Sequence, residues 1–238
     1  MILTIQLVTY SETTMIKPKT TIGSPPQKGD VYKTIFEFIR VVISDFKPFT
    51  KDEKECTITS EDLITQDLEK ILNVKSHKTG EFFAFQNQSK KGKYTTDISV
   101  YKIASYEDFC WIEAKRLPTP EAGKTRDERE YVIVSQEKVN GRKKYKGNGG
   151  IQRFKEGKHA SNHSYAIMIG YIQLYNPAFW IDKINGWIGD LIKEDPEFWN
   201  ESDYLQEEMT GKCYSYTSEH KRKNGLRQIA LQHFWITI

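Results

Sequence analysis

Apolar residues first fall into register at Val31, Ile35, Phe38, Ile39 and Val42, a three-to-four residue spacing that predicts a helix with one buried stripe. Asp30 is placed to cap its start. After a polar stretch the same spacing returns at Leu63, Ile64, Leu68, Ile71 and Leu72. Ser60 stands at the N-cap of this second helix, and Glu61 and Asp62 in its first turn suit the positive end of the helix dipole.

The period then changes. Residues 81–87, 94–102 and 109–115 are short, rich in aromatic and β-branched residues, and separated by turn-forming segments, which predicts three strands. The last two are expected to pair as a hairpin around residues 103–108. A charged insertion follows at 116–148, with one apolar patch at 131–134; connections of this length are usually functional. Helical character resumes at 150–160, and a strand is expected at 164–174. Asn176-Pro177 then opens a helix carrying Trp180, Ile184, Trp187, Ile188 and Leu191, a stripe most simply read as core. Residues 212–218 and 226–238 predict a C-terminal β-hairpin closed by His-Lys-Arg-Lys-Asn-Gly. The order ααβββαβα(ββ) defines an α/β fold, a mixed sheet flanked by helices.

The 238 residues suit one domain, here 30–238, preceded by an arm and a Pro/Gly-rich linker at 1–29. Twenty-eight per cent charged residues argues against wholesale disorder. No apolar run reaches the ~20 residues needed to span a bilayer, and the N-terminus lacks the pattern of a signal peptide. Three cysteines without a Cys-x-x-Cys pair support neither a disulfide scaffold nor a thiolate zinc site, so a reducing cytoplasm is expected.

Candidate chemistry lies in residues 94–115. On the first strand Asp97 shares a face with Thr95, Ser99 and Tyr101; on the second, Glu113 and Lys115 share a face opposite Cys110, Ile112 and Ala114. Neighbouring strands would bring Asp97, Glu113 and Lys115 to one spot. Paired carboxylates repel unless a cation lies between them, and a hard ion such as Mg²⁺ takes such oxygens together with water and phosphate. A lysine beside it orients water or stabilises developing charge. The spacing alone says little, because five acid-x-Lys triplets occur in the chain. Glu113–Lys115 alone follows an apolar Phe-Cys-Trp-Ile run, where unpaired charge would cost several kcal/mol; an internal ion pair at a strand end is the plainer alternative.

These residues resemble the PD-(D/E)XK nuclease superfamily over roughly 61–174. Thr96 stands where the family name has proline. The resemblance implies a restriction-endonuclease-like αβββαβ core, with Asp97, Glu113 and the backbone carbonyl of Ala114 binding Mg²⁺, or Mn²⁺ in its place, and Lys115 positioning the attacking water. It further implies an acid on the preceding helix, Glu61 before Glu69, and a Gln or Lys on the following helix, Gln152 before Lys155. The implied activity is metal-dependent hydrolysis of DNA rather than RNA, as in restriction, defence, mobile-element or repair endonucleases, with a homodimer or a further protein partner compatible with it.

Charge placement adds to this picture. The net charge is only +3, but residues 138–158 contain eight Lys/Arg and one acid, a local +7 that leaves −4 elsewhere. Arg142, Lys143, Lys144, Lys146, Arg153, Lys155 and Lys158 are thus candidate contacts to a phosphate backbone. Glycines 147, 149 and 150 would let that backbone approach phosphate at the helix start. A second cluster, His220, Arg222 and Lys223, is a further candidate contact. His159 and His163 have metal-ligand spacing but lack the glutamate of a His-Glu-x-x-His motif, and no Gly-x-Ser-x-Gly or P-loop sequence occurs. A non-catalytic nucleic-acid-binding or protein-interaction module on the same fold is the second functional class, and a small-molecule phosphodiesterase the third.

Overall fold

A computed structural model describes residues 28–48, 61–88, 90–91, 94–124, 126–134, 136–139, 142–145, 150–209 and 213–238. The expected arm and linker (through residue 27), Ser60, Lys146 and glycines 147 and 149 lie outside the described residues. Helices α1 (Lys28–Ile43) and α2 (Glu61–Thr79) precede the sheet strands β1 (Phe83–Asn87), β2 (Ile98–Lys102) and β3 (Asp108–Leu117). Helix α3 (Ile151–Lys155) leads to β4 (Tyr165–Ile172), and α4 (Pro177–Glu194) to β5 (Gln206–Met209), β6 (Tyr214–His220) and β7 (Ile229–Thr237). The seven strands form one mixed sheet in the order β1-β2-β3-β4-β7-β6-β5. β3, β4 and β7 run parallel, and the outer pairs are antiparallel.

Alternation along the central strands divides the core into two layers. Ile112, Ala114, Ile167, Ile169 and Phe234 pack with Ile35, Ile39, Ile64, Leu68 and Leu72 from α1 and α2. Trp111, Met168, Leu231 and Trp235 pack on the other face with Trp180, Ile184, Trp187 and Ile188 from α4. Each such aliphatic side chain contributes ~1.5–3 kcal/mol on burial. Asn176 caps α4 as expected, its Oδ1 accepting from Phe179 N at 2.8 Å. Of the apolar patch 131–134 in the long insertion, Tyr131, Val132 and Ile133 belong to the α4-side core, and Val134 is buried. Among the described residues no helix is long and apolar enough to cross a membrane.

Four differences from expectation have local causes. The run at 94–102 is interrupted: Tyr94–Thr95 pairs with Lys90–Lys91 in a small ribbon, and β2 begins only at Ile98. The Thr96 hydroxyl donates to Ile112 O (2.9 Å) and Ile98 O (3.2 Å), leaving Asp97 at the break rather than inside a strand. Helix α3 is five residues long instead of eleven, because Gly157 takes φ +68° and ends it. The polar edge strand β5 has no apolar alternation to signal it, as suits a charged sheet edge. In α1, Asp30 lies in the first turn rather than at the cap, since the helix starts at Lys28.

Candidate functional site

The antiparallel register sets Ile98 against Ile112, so Asp97, one residue earlier, stands beside Glu113 and Ala114. Asp97 Oδ2 accepts a 2.7 Å hydrogen bond from Ala114 N. Glu113 and Lys115 follow on β3, 3% and 6% exposed. Lys115 Nζ lies 3.1 Å from Glu113 Oε1 and 3.3 Å from Glu61 Oε1, and donates to Ala114 O at 2.6 Å. Glu61 arrives from the first turn of α2, and its second oxygen accepts from Arg116 N at 3.0 Å. Glu113 and Glu61 therefore meet at the Lys115 ammonium, and Asp97 is held beside them on the Ala114 N–H. Glu69, the second choice on α2, instead accepts a bond from Asn73.

The electrostatics of these acids diverge. Burial, then the Glu113 carboxylate and Glu61, push Asp97 up to about 8 against the opposing pull of Lys115 and the Ala114 N–H. Burial also acts to raise Glu113, but Lys115, His159 and Arg153 overcome it and hold the group well below the usual carboxylate range. Burial acts to lower Lys115, yet Glu113, Glu61 and Asp97 raise it well above an ordinary lysine. One acid is firmly ionised and its neighbour is kept near neutrality, a divergence typical of functional clefts.

The α3 segment is arranged differently from expectation. Gln152 turns to Val134 N, whose bond it accepts at 3.2 Å, and to Glu156, to which it donates at 2.8 Å. Lys155 is buried with Nζ on both oxygens of Asp203, at 2.6 and 2.7 Å, so it has no surface to offer a phosphate. Lys158 is paired with Glu156 at 2.5 Å. Arg153 reaches Glu113 instead, Nη1 lying 3.6 Å from Oε1. Gly150 sits at φ +83°, where a Cβ would meet Glu130 O at 2.6 Å. The C-terminal cluster is structural too. His220 is buried against Asp203, Arg222 donates to Ala160 O and His163 O, and Lys223 lies 4.0 Å from the Phe198 ring centroid. The backbone of Arg142–Tyr145 forms a ribbon with Gln136–Val139.

Two site residues were not anticipated. His159 is fully buried with Nδ1 3.2 Å from Glu113 Oε2; only its closeness to α3 hinted at this. Glu130, 1% exposed and ion-paired to Arg126, adds a further buried acid whose charge is felt at Lys115. Flanking the apolar patch 131–134 was its one signal. A cleft of about 410 Å³ between α1 and the β6–β7 hairpin, lined in part by Phe36, Tyr165, Thr217 and Glu219, includes none of these residues.

Among the described residues no three His, Cys, Asp or Glu side chains are grouped so as to hold a metal ion by themselves. Glu113 and the Ala114 carbonyl at Lys115, with Asp97 held on the Ala114 N–H, are nevertheless a hard-oxygen donor set of the kind that suits Mg²⁺ with water completing the shell. Compared with protein-family models, curated proteins and solved structures, the chain matches none.

Proposed function

We propose that this chain is a Mg²⁺-dependent nuclease hydrolysing DNA phosphodiester bonds on a restriction-endonuclease-like αβββαβ core. The observation that supports it is the convergence of Asp97, Glu113 and Lys115 from adjacent strands, joined by the Asp97–Ala114 hydrogen bond. Asp97, Glu113 and the Ala114 carbonyl would hold Mg²⁺ or Mn²⁺, which when bound supplies Lewis-acid polarisation of the scissile phosphate. Lys115 donates to the attacking water and to the charge that develops on phosphate. Glu61 keeps Lys115 protonated and aimed. Arg142, Lys143 and Lys144, in the ribbon ahead of α3, would follow the phosphate backbone. The five Lys/Arg of residues 138–146, which precede α3 in the chain, favour a polyanion over a small phosphodiester. The test is incubation of supercoiled plasmid with wild type and Lys115→Ala in Mg²⁺ and in EDTA. Cleavage by wild type in Mg²⁺ alone, reduced at least ~10²-fold in the variant, is expected; no cleavage in Mg²⁺ or Mn²⁺ overturns it.

A non-catalytic DNA-binding module is the second reading. It is favoured by the closure of the cluster on itself, with Lys115 already bonded to Glu113, Glu61 and Ala114 O. Lys115→Ala would then bind DNA like wild type, and neither would cleave.

A further inference from the structure

The turn after α3 is built to return one side chain to the sheet. Gly157 adopts φ +68°, and a Cβ there would meet Leu226 Cδ1 at 2.2 Å, so the position demands glycine. Lys158 N and His159 N both bond to Arg153 O, at 2.9 and 3.2 Å, wrapping the chain over the helix end. From the β6–β7 connection, the Arg222 guanidinium donates to Ala160 O (2.9 Å) and His163 O (2.8 Å), which fixes the far side of the turn. The His159 ring is held edge-on by Trp111 and Phe154, with centroids 5.9 and 5.6 Å away. Its Nδ1 is 3.2 Å from Glu113 Oε2, while Lys115 and Arg153 both approach Oε1. Nδ1 is thus the ring nitrogen turned toward the carboxylate.

We propose that His159 is a positioning residue: its Nδ1, set against Glu113 Oε2, fixes the plane of the carboxylate whose other oxygen Lys115 and Arg153 approach. The inference rests on the nuclease reading and deepens it. A group holding a metal-binding carboxylate typically changes metal affinity or activity by ~10–100-fold when lost.

The experiment compares His159→Asn, whose amide nitrogen falls near the Nδ1 position, with His159→Gln, whose amide falls near Nε2. Both are buried amides of similar polarity, and thermal unfolding confirms that each is folded. Mn²⁺ binding is measured by titration calorimetry, and plasmid cleavage is resolved into kcat and KM. His159→Gln is expected to lose ~10–100-fold in Mn²⁺ affinity and kcat with KM for DNA changed less than ~3-fold, while His159→Asn stays within ~10-fold of wild type. Equal behaviour of the two variants, with an active wild type, overturns the positioning role alone. A wild-type chain that neither binds Mn²⁺ nor cleaves DNA removes this role together with the nuclease reading.

Discussion

Lys155 Nζ lies 2.6 and 2.7 Å from the two carboxylate oxygens of Asp203, with neither side chain exposed to solvent. The pair joins α3 to the 3₁₀ turn at Glu201–Asp203, beneath Phe198 and Trp199, whose ring centroids lie within 5 Å of the ammonium. Asp203 also accepts from Asn200 N at 2.8 Å and lies 2.5 Å from His220 Nδ1. Burial acts to lower Lys155, and Asp203 opposes it.

Removing one partner strands the other as a buried charge. Asp203→Ala is expected to cost ~3–5 kcal/mol. Lys155→Met alone leaves Asp203 with His220 and Asn200 and should cost less. Combining Lys155→Met with Asp203→Ala should cost less than the sum of the two single losses. Urea denaturation of the three variants measures this, and costs that simply add would refute the coupling.

A second consequence concerns acid. His220 and His233 are both buried, and Ser218 Oγ lies 2.7 Å from an Nε2 of each. Burial lowers both below the ordinary histidine value, His233 further, with the nearby His220 adding to its shift. As pH falls through ~6.5 the unfolded chain takes up protons that the folded chain refuses. Stability present above that point is therefore lost progressively toward the folded values. Replacing His233 with Gln should flatten the loss by up to ~1.4 kcal/mol per pH unit. Urea midpoints between pH 8 and 5 report it; equal slopes for wild type and variant would remove the assignment.

The contrast between Lys115 and Lys155 shows what was legible in the sequence. Glu113 and Lys115 follow Phe-Cys-Trp-Ile, so their burial could be read from the residues just before them, whereas Asp97 reaches them from a break ahead of β2 that strand alternation did not foresee. Glu61 was visible as a first-turn acid. Lys155 looked like one of eight basic residues in a solvated segment, since its partner lies 48 residues away on an element no pattern announces. His159 was equally hidden: its return to Glu113 depends on Gly157 and on Arg222 from the far hairpin. Short-range periodicity recovers the apolar strands and long helices but not the polar edge strand β5, and long-range pairing of polar groups leaves no periodic trace.

The basic ribbon gives a quantitative test of DNA binding. Each phosphate contact contributes about −0.9 to the slope of log affinity against log salt. Replacing Arg142, Lys143 and Lys144 together by alanine should reduce that slope by up to ~2.7 and weaken binding similarly across sequences. Fluorescence anisotropy with two unrelated duplexes between 50 and 200 mM salt is the measurement. An unchanged slope would mean that the positive charge of this segment serves another purpose.

Asp97 titrates with the opposite sign to the histidines. Its folded value of about 8 lies far above the unfolded 3.8, because burial and the Glu113 charge oppose ionisation. The folded chain therefore holds a proton that the unfolded chain has released, and the stability this confers is complete below 3.8 and lost as pH rises toward 8. Asp97→Asn keeps an oxygen for the Ala114 N–H but cannot ionise. Its Tm relative to wild type should climb between pH 4 and 8 and level off above, each kcal/mol of difference appearing as ~2–4 °C. Calorimetry across that range checks it, and a difference independent of pH would mean that Asp97 titrates normally. A cation bound between Asp97 and Glu113 would reverse the penalty by favouring the carboxylate. Saturating Mn²⁺ should accordingly raise the wild-type Tm most near pH 8 and leave Asp97→Asn nearly unmoved, so that one comparison reports both the buried acid and the ion it would hold.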